Sequence, residues 1–139
     1  MVSYPYQAEF SKDGSLSRRP IIPLNINGFP FTGLLDSGSD VIVIPSEVAE
    51  ALQLKNIGNT SLSQMNGEEM SCVITELDIE FGTDKAPQKF KTQALISNSQ
   101  RIILGRQGFF NNFRITFDES NLRVSFKPSK DKHLLSLTS

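Results

Sequence analysis

The residues able to do chemistry in this chain are mostly carboxylates. One cysteine, Cys72, and one histidine, His133, are too few for a zinc site built from His and Cys. A nucleophile–histidine pair would have to depend on His133, which stands beside Lys132 in a polar tail and reads as solvated surface. Cys72 lies in the apolar pattern Met70, Cys72, Ile74, which reads as a small buried hydrophobe rather than a nucleophile. A single cysteine cannot form an internal disulfide, in keeping with a reducing compartment.

The informative carboxylate is Asp36. It sits in the segment Phe31-Thr32-Gly33-Leu34-Leu35-Asp36-Ser37-Gly38-Ser39-Asp40-Val41-Ile42-Val43-Ile44-Pro45, where one apolar strand runs into Asp-Ser-Gly-Ser and a second apolar strand follows. An ionised group held between two buried strands loses solvation that partners must replace. Gly38 lets the backbone turn back and bring amides to the carboxylate, and the Ser37 and Ser39 hydroxyls are further potential donors. Asp-Ser-Gly is also ordinary Asx-turn chemistry. Continuous apolar sequence on both sides is what separates it from a surface turn. Downstream, Arg101-Ile102-Ile103-Leu104-Gly105-Arg106 repeats the theme of an apolar strand that ends in glycine.

The elements that must position these residues are chiefly strands. Period-two alternation with β-branched and aromatic enrichment marks segments 21–27, 29–35, 70–81, 90–96, 113–117 and 122–126. Asn27-Gly28, Asn66-Gly67 and Gly82-Thr83-Asp84 supply the turn chemistry between them, so the chain reads as mainly antiparallel β. Two short helices are expected. One spans 45–52 with Val48, Ala51 and Leu52 on its inner face, and the other spans 106–112, weakened by Gly105 and Gly108.

Composition bounds the rest. A chain of 139 residues with 38% hydrophobic and 21% charged side chains suits one globular domain, read here as residues 1–127 followed by a tail or dimerisation arm at 128–139. Fourteen basic and fifteen acidic residues nearly cancel, which argues against nucleic acid or a membrane surface as partner. No apolar run approaches the length of a bilayer span, and residues 1–10 lack the basic start and apolar stretch of a secretory signal. The expected location is the cytoplasm, unless the chain is excised from a larger precursor. No cofactor and no metal are expected.

Leu34-Leu35-Asp36-Ser37-Gly38-Ser39 and Ile103-Leu104-Gly105 match, in order and spacing, the two motifs of the retropepsin-like aspartic peptidases, and over about residues 20–126 the chain resembles that family of retroviral proteases and cellular single-domain relatives. The resemblance implies a small closed antiparallel β-barrel-like acid-protease half with one or two short helices and a β-hairpin flap. It implies an aspartic endopeptidase acting on peptide or unfolded protein, with Asp36 catalytic. Only one Asp-Ser-Gly is present, so a homodimer would supply the second aspartate. The flap would carry Met65, Asn66 and Gly67. Ser37, Gly38, Ser39 and Gly105 would support the active-site loop, with Asp40 and Arg106 as a buried acid–arginine brace. A Ser39 hydroxyl donating to Asp36 would favour the charged carboxylate and draw the working range toward acid.

Two rivals remain at this level. One is a catalytically silent domain that uses the same dimer for assembly or peptide binding. The other is a carboxylate hydrolase of sugars pairing Asp36 with Asp78 or Glu80, although those acids alternate with Leu77, Ile79 and Phe81 as a solvent-facing row does.

Overall fold

Alternating apolar and polar side chains become strand along most of the chain. The computed structural model describes residues 2–63 and 66–129. The first part holds β1 (Val2–Pro5), β2 (Gln7–Phe10), β3 (Leu16–Arg19), β4 (Ile21–Ile26), β5 (Phe29–Leu35) and β6 (Val43–Pro45). A short helix α1 (Ser46–Ala51) follows. The remainder holds β7 (Gly58–Ser63), β8 (Glu69–Thr83), β9 (Ala86–Ser97), β10 (Ile102–Leu104), β11 (Phe113–Asp118) and β12 (Arg123–Pro128).

Seven of these strands form one sheet in the order β4-β5-β10-β6-β9-β8-β7. A further pairing of β4 with β8, at Asn25↔Glu80 and Ile26↔Ile79, brings the sheet round on itself into a barrel-like circuit. The turn between β4 and β5 is the Asn27-Gly28 pair, with φ of 52° and 87°, the two left-handed residues that a tight hairpin of the right twist requires. Two pairings depart from the antiparallel expectation: β5 with β10, and β6 with β9, are parallel. The sheet is therefore mixed, because β10 inserts between two strands that lie far earlier in the chain. The hairpin expected at Gly82-Thr83-Asp84 turns instead through Asp84-Lys85, between Thr83 and its partner Ala86.

β1, β12 and β11 form a second, three-stranded sheet, and β2 with β3 forms a separate hairpin. Tyr6 leads out of β1, and its hydroxyl donates to Glu119 Oε1 at 2.7 Å. Burial, helped by that acceptor, pushes the Tyr6 phenol up to about 12. Pro128 pairs with Phe113 and so belongs to β12 rather than to the expected tail, and residues 130–139 lie outside the described residues. No helix among the described residues is long and apolar enough to cross a membrane.

The helical expectations fare unequally. α1 starts after Pro45 as expected, but it buries Ala49 rather than Ala51, with Val48 and Leu52 packed at the edge of the core. At 106–112 only a single 3-10 turn forms, Phe110–Asn112. Gly108 adopts φ 92°, outside helical space, so no regular helix can run through 106–112.

The main core lies inside the barrel and under the second sheet. Its centre is aromatic: Phe81 packs against Phe109, Phe113 and Phe126 with ring centroids 5.4, 5.2 and 5.1 Å apart. Phe109 is fully buried and also meets Phe90. Replacing a buried aromatic by alanine removes its transfer free energy and leaves a cavity. Phe109→Ala should therefore lower unfolding stability by about 3–5 kcal/mol in urea melts.

Candidate active site

Leu34 and Leu35 are buried in β5, anchored beside Ile103 and Leu104 of β10 by the parallel register. Asp36 follows immediately, at the point where the chain leaves the sheet. Its amide donates to the Leu104 carbonyl at 3.1 Å. The Gly38 amide donates to Asp36 Oδ1 at 2.9 Å, and the Ser39 amide donates to the Asp36 carbonyl at 3.1 Å. The chain then re-enters the core through Val41 and Ile42. The flanks are thus buried as expected, while the carboxylate itself stays half-exposed in the single chain.

A second segment secures this loop from below. The Arg106 amide donates to the Ser39 carbonyl at 2.9 Å and the Gln107 amide to the Asp40 carbonyl at 2.8 Å, and Val41 bridges Gln107 in parallel. Gly105 lies so close that a Cβ there would stand 2.1 Å from the Val41 carbonyl oxygen and 2.7 Å from that of Ser39. Only glycine allows the two backbones to approach this far.

The side chains of the loop differ from expectation in two places. The Ser39 hydroxyl donates to the Val41 carbonyl at 2.8 Å rather than to Asp36, so it spans the loop's own return. Asp40 and Arg106 do form an ion pair, Asp40 Oδ1 accepting from Arg106 Nη2. The pair is not buried: the Arg106 and Asp40 side chains are 60% and 68% exposed in the single chain. Main-chain bonds, not the ion pair, hold the loop. Ser37 is exposed, and its hydroxyl has no partner among the described residues.

β7 and β8 form the expected hairpin, paired from Gly58↔Ile74 to Ser63↔Glu69. Asn66 and Gly67 stand at its tip, where Asn66 Oδ1 accepts from the Glu68 amide at 3.0 Å. Met65 lies outside the described residues. A small second core of Val41, Val43, Cys72, Ile74 and Leu95 joins the hairpin to the strand that returns from the Asp36 loop. Cys72 is buried in that core as the apolar pattern suggested. Asp78 and Glu80 lie on the outer side of β8, 3.8 Å from the ammonium groups of Lys91 and Lys89 respectively, as a solvent-facing row does. No group of His, Cys, Asp and Glu suited to a metal ion occurs among the described residues.

Two neighbouring substitutions should separate these contributions. Arg106→Ala removes an exposed pair and should lower stability by less than about 1 kcal/mol. A buried pair would lose about 3–5 kcal/mol. Gly105→Ala forces a methyl group onto two carbonyl oxygens and should lower it by about 2 kcal/mol or more. Denaturant melts of the two variants read the difference directly.

Comparison with known proteins agrees with this geometry. Residues 22–107 match the model of a family described as aspartyl protease. The chain is similar in structure to a retropepsin-like aspartic protease from Rickettsia conorii, at 19% identity and a TM-score of 0.57, covering 87% of this chain and 95% of that one. It also aligns with the simian foamy virus (mac) protease at 18% identity and TM-score 0.49, covering 63% of this chain and 89% of that one. The EIAV protease, solved with an inhibitor, aligns at 23% identity and TM-score 0.47, covering 63% of this chain and 82% of that one. No curated protein matches it in sequence. The matched span begins in β4, contains Asp36 and its loop, and ends just past Gly105, and on that match the chain belongs to the aspartyl protease family.

Proposed function

We propose that the protein is an aspartic endopeptidase that works as a homodimer, each chain contributing one Asp36. The observation that carries this is the Asp36 loop. A half-exposed carboxylate, one oxygen held by the Gly38 amide, stands on a main-chain scaffold, and only one Asp-Ser-Gly exists per chain. A two-fold axis beside Asp36 brings two such carboxylates together.

Two carboxylates that close cannot both ionise cheaply, so the pair holds one proton between them. The charged Asp36 takes a proton from a bound water, whose oxygen attacks the scissile carbonyl carbon. The protonated Asp36 of the second copy donates to the carbonyl oxygen. Collapse of the tetrahedral intermediate breaks the C–N bond as the nitrogen receives a proton, leaving a carboxylic acid and an amine. Ser37 bonds across the two-fold and locks the facing loops. An extended peptide lies under the β7–β8 hairpin and pairs with its main chain, so the substrate class is peptide or unfolded protein. We assign it to the cytoplasm, where a lone buried Cys72 stays reduced, either as such or after excision from a precursor.

Asp36→Asn keeps the shape of the side chain and removes the ionisable group. Cleavage of a randomised peptide library should vanish in this variant, with the circular dichroism spectrum and the sedimenting mass unchanged. Wild-type turnover by Asp36→Asn would overturn the proposal. Because the site is divided between chains, specific activity should also fall as the enzyme is diluted through its dissociation range, and a fully active monomer would contradict the shared site.

The Ser39 hydroxyl is spent on Val41 and leaves Asp36 alone. Ser39→Ala should therefore leave the acidic limb of the kcat/KM profile where it is in the wild type. A limb displaced to higher pH would show that the hydroxyl reaches the charged carboxylate during turnover.

A further inference from the structure

The β2–β3 hairpin has its polar side inward and its apolar side outward. Its register pairs Gln7 with Arg19, Ala8 with Arg18, Glu9 with Ser17 and Phe10 with Leu16. Alternation therefore puts Gln7, Glu9, Ser17 and Arg19 on one face and Ala8, Phe10, Leu16 and Arg18 on the other. The first face is turned to the body of the protein. There Glu9 accepts from Arg101 Nη2 at 2.7 Å and from Arg19 Nη1 at 3.3 Å. The Arg101 hydrogen bond holds the Glu9 carboxyl below its ordinary range. Every residue of the second face is exposed, with Phe10 at 76% and Leu16 at 52%.

This arrangement is the reverse of a hairpin that packs its apolar face on its own core. β3 is exposed along its whole length, and the hairpin's hold on its own chain is polar, through Glu9 and Arg101. Among the described residues nothing covers Phe10 and Leu16.

The hairpin's place in the fold selects the occupant. Its base runs through Pro20 into β4, and the Pro20 carbonyl accepts from the Leu35 amide at 3.0 Å, one residue before Asp36. The hairpin thus rises from the end of the barrel where two Asp36 residues must meet. A stable interface buries roughly 1,200–2,000 Å², so a dimer that joins two Asp36 loops needs further contact surface around them. The N-terminal strand cannot add to it by pairing through β12, because β1 already pairs with β12 of its own chain from Val2↔Phe126 to Pro5↔Arg123.

We propose that the outward face of the β2–β3 hairpin, with Phe10 and Leu16 at its centre, docks on a second copy of this chain and supplies the main apolar contact of the dimer. This rests on the shared-site proposal above and deepens it: the hairpin is what brings the second Asp36 into place. The contact is isologous, each hairpin meeting the same surface of the other chain. Arg18, at the edge of the apolar pair, stands at the rim of that contact.

Sedimentation velocity over a dilution series tests this with the doubly substituted chain Phe10→Ser, Leu16→Ser. Both side chains are exposed, so the far-UV circular dichroism spectrum should match the wild type while the dimer weakens by about thirtyfold or more, the effect of removing an anchor at an interface. A wild-type dimer and a variant dimer of equal affinity would overturn the hairpin's role, and cleavage by that wild type would leave the shared site standing. A wild type that stays monomeric at every concentration would overturn both. As an independent readout, benzoylphenylalanine in place of Phe10 should give, on irradiation, products that join isotopically heavy and light copies. Products confined to one chain, or joined only to an added unfolded casein, would overturn the proposal.

Discussion

Between Leu104 and Gln107 the chain passes under the loop that begins at Asp36, so closely that any side chain at Gly105 would strike the carbonyl oxygens of Val41 and Ser39. This approach is possible because β10 inserts between β5 and β6, parallel to the first and antiparallel to the second. Each amide that leaves the inserted strand meets a carbonyl of the loop above it. Arg106 bonds Ser39, Gln107 bonds Asp40, and the Asp36 amide returns to Leu104. Three main-chain bonds across a sequence separation this large close a long loop of chain, a loss of entropy that only a well-packed core can offset. The aromatic cluster around Phe109, four residues beyond Gly105, is placed to do so.

The two cores divide the work between scaffold and hairpin. The larger one ties the barrel to the second sheet, through Phe81 on β8 and Phe126 on β12. The smaller one lies between the strand returning from Asp36 and the base of the β7–β8 hairpin, with partly buried Leu62, Met70 and Ile103 at its margin. β8 serves both. Its Cys72 and Ile74 face the small core, whereas Leu77, Ile79 and Phe81 face the large one. One long strand thus couples the rigid barrel to a hairpin whose outer strand, β7, buries none of its residues fully. That difference in packing leaves β7 the less secured strand of the hairpin, while the base of β8 is packed against Val41.

What was legible in the sequence follows the same physics. β4, β5, β8 and β9 carry apolar, β-branched and aromatic runs with turn residues between them, and their positions were readable within a few residues. β3 was not, because Leu16–Arg19 buries neither face and so shows no period of two. β7 was missed for a related reason: Gly58–Ser63 is mostly polar, and only Leu62 packs on a core. The failed helix at 106–112 is a tertiary effect. Local composition tolerated a helix, but Gly108 adopts φ 92°, outside helical space, where it packs beside Thr92. The parallel pairings were likewise invisible, since hairpin chemistry reports only neighbours in sequence. At the site, the two motifs marked segments that the structure places side by side. They could not tell that the Ser39 hydroxyl turns to Val41, or that Asp40 and Arg106 meet at the surface of the single chain.

The exposure of that ion pair bears on how such a loop can work. A carboxylate that gains and loses a proton in each turnover changes the field on every charged neighbour, and a loop braced by charges would shift as it did so. Here the brace is neutral. The bonds from Gly38, Ser39, Arg106 and Gln107 that fix the path of the loop all come from backbone amides, which keep their protons throughout. Of these, only the Gly38 bond ends on the carboxylate, and an amide donor can serve the charged form without leaving its place when the neutral form appears. The Asp40–Arg106 pair lies in water, where screening keeps its coupling to Asp36 weak. The loop's geometry is thus set by groups that do not titrate near neutral pH. Preorganisation of this kind makes the scaffold indifferent to protonation, as the role proposed for Asp36 requires of its surroundings.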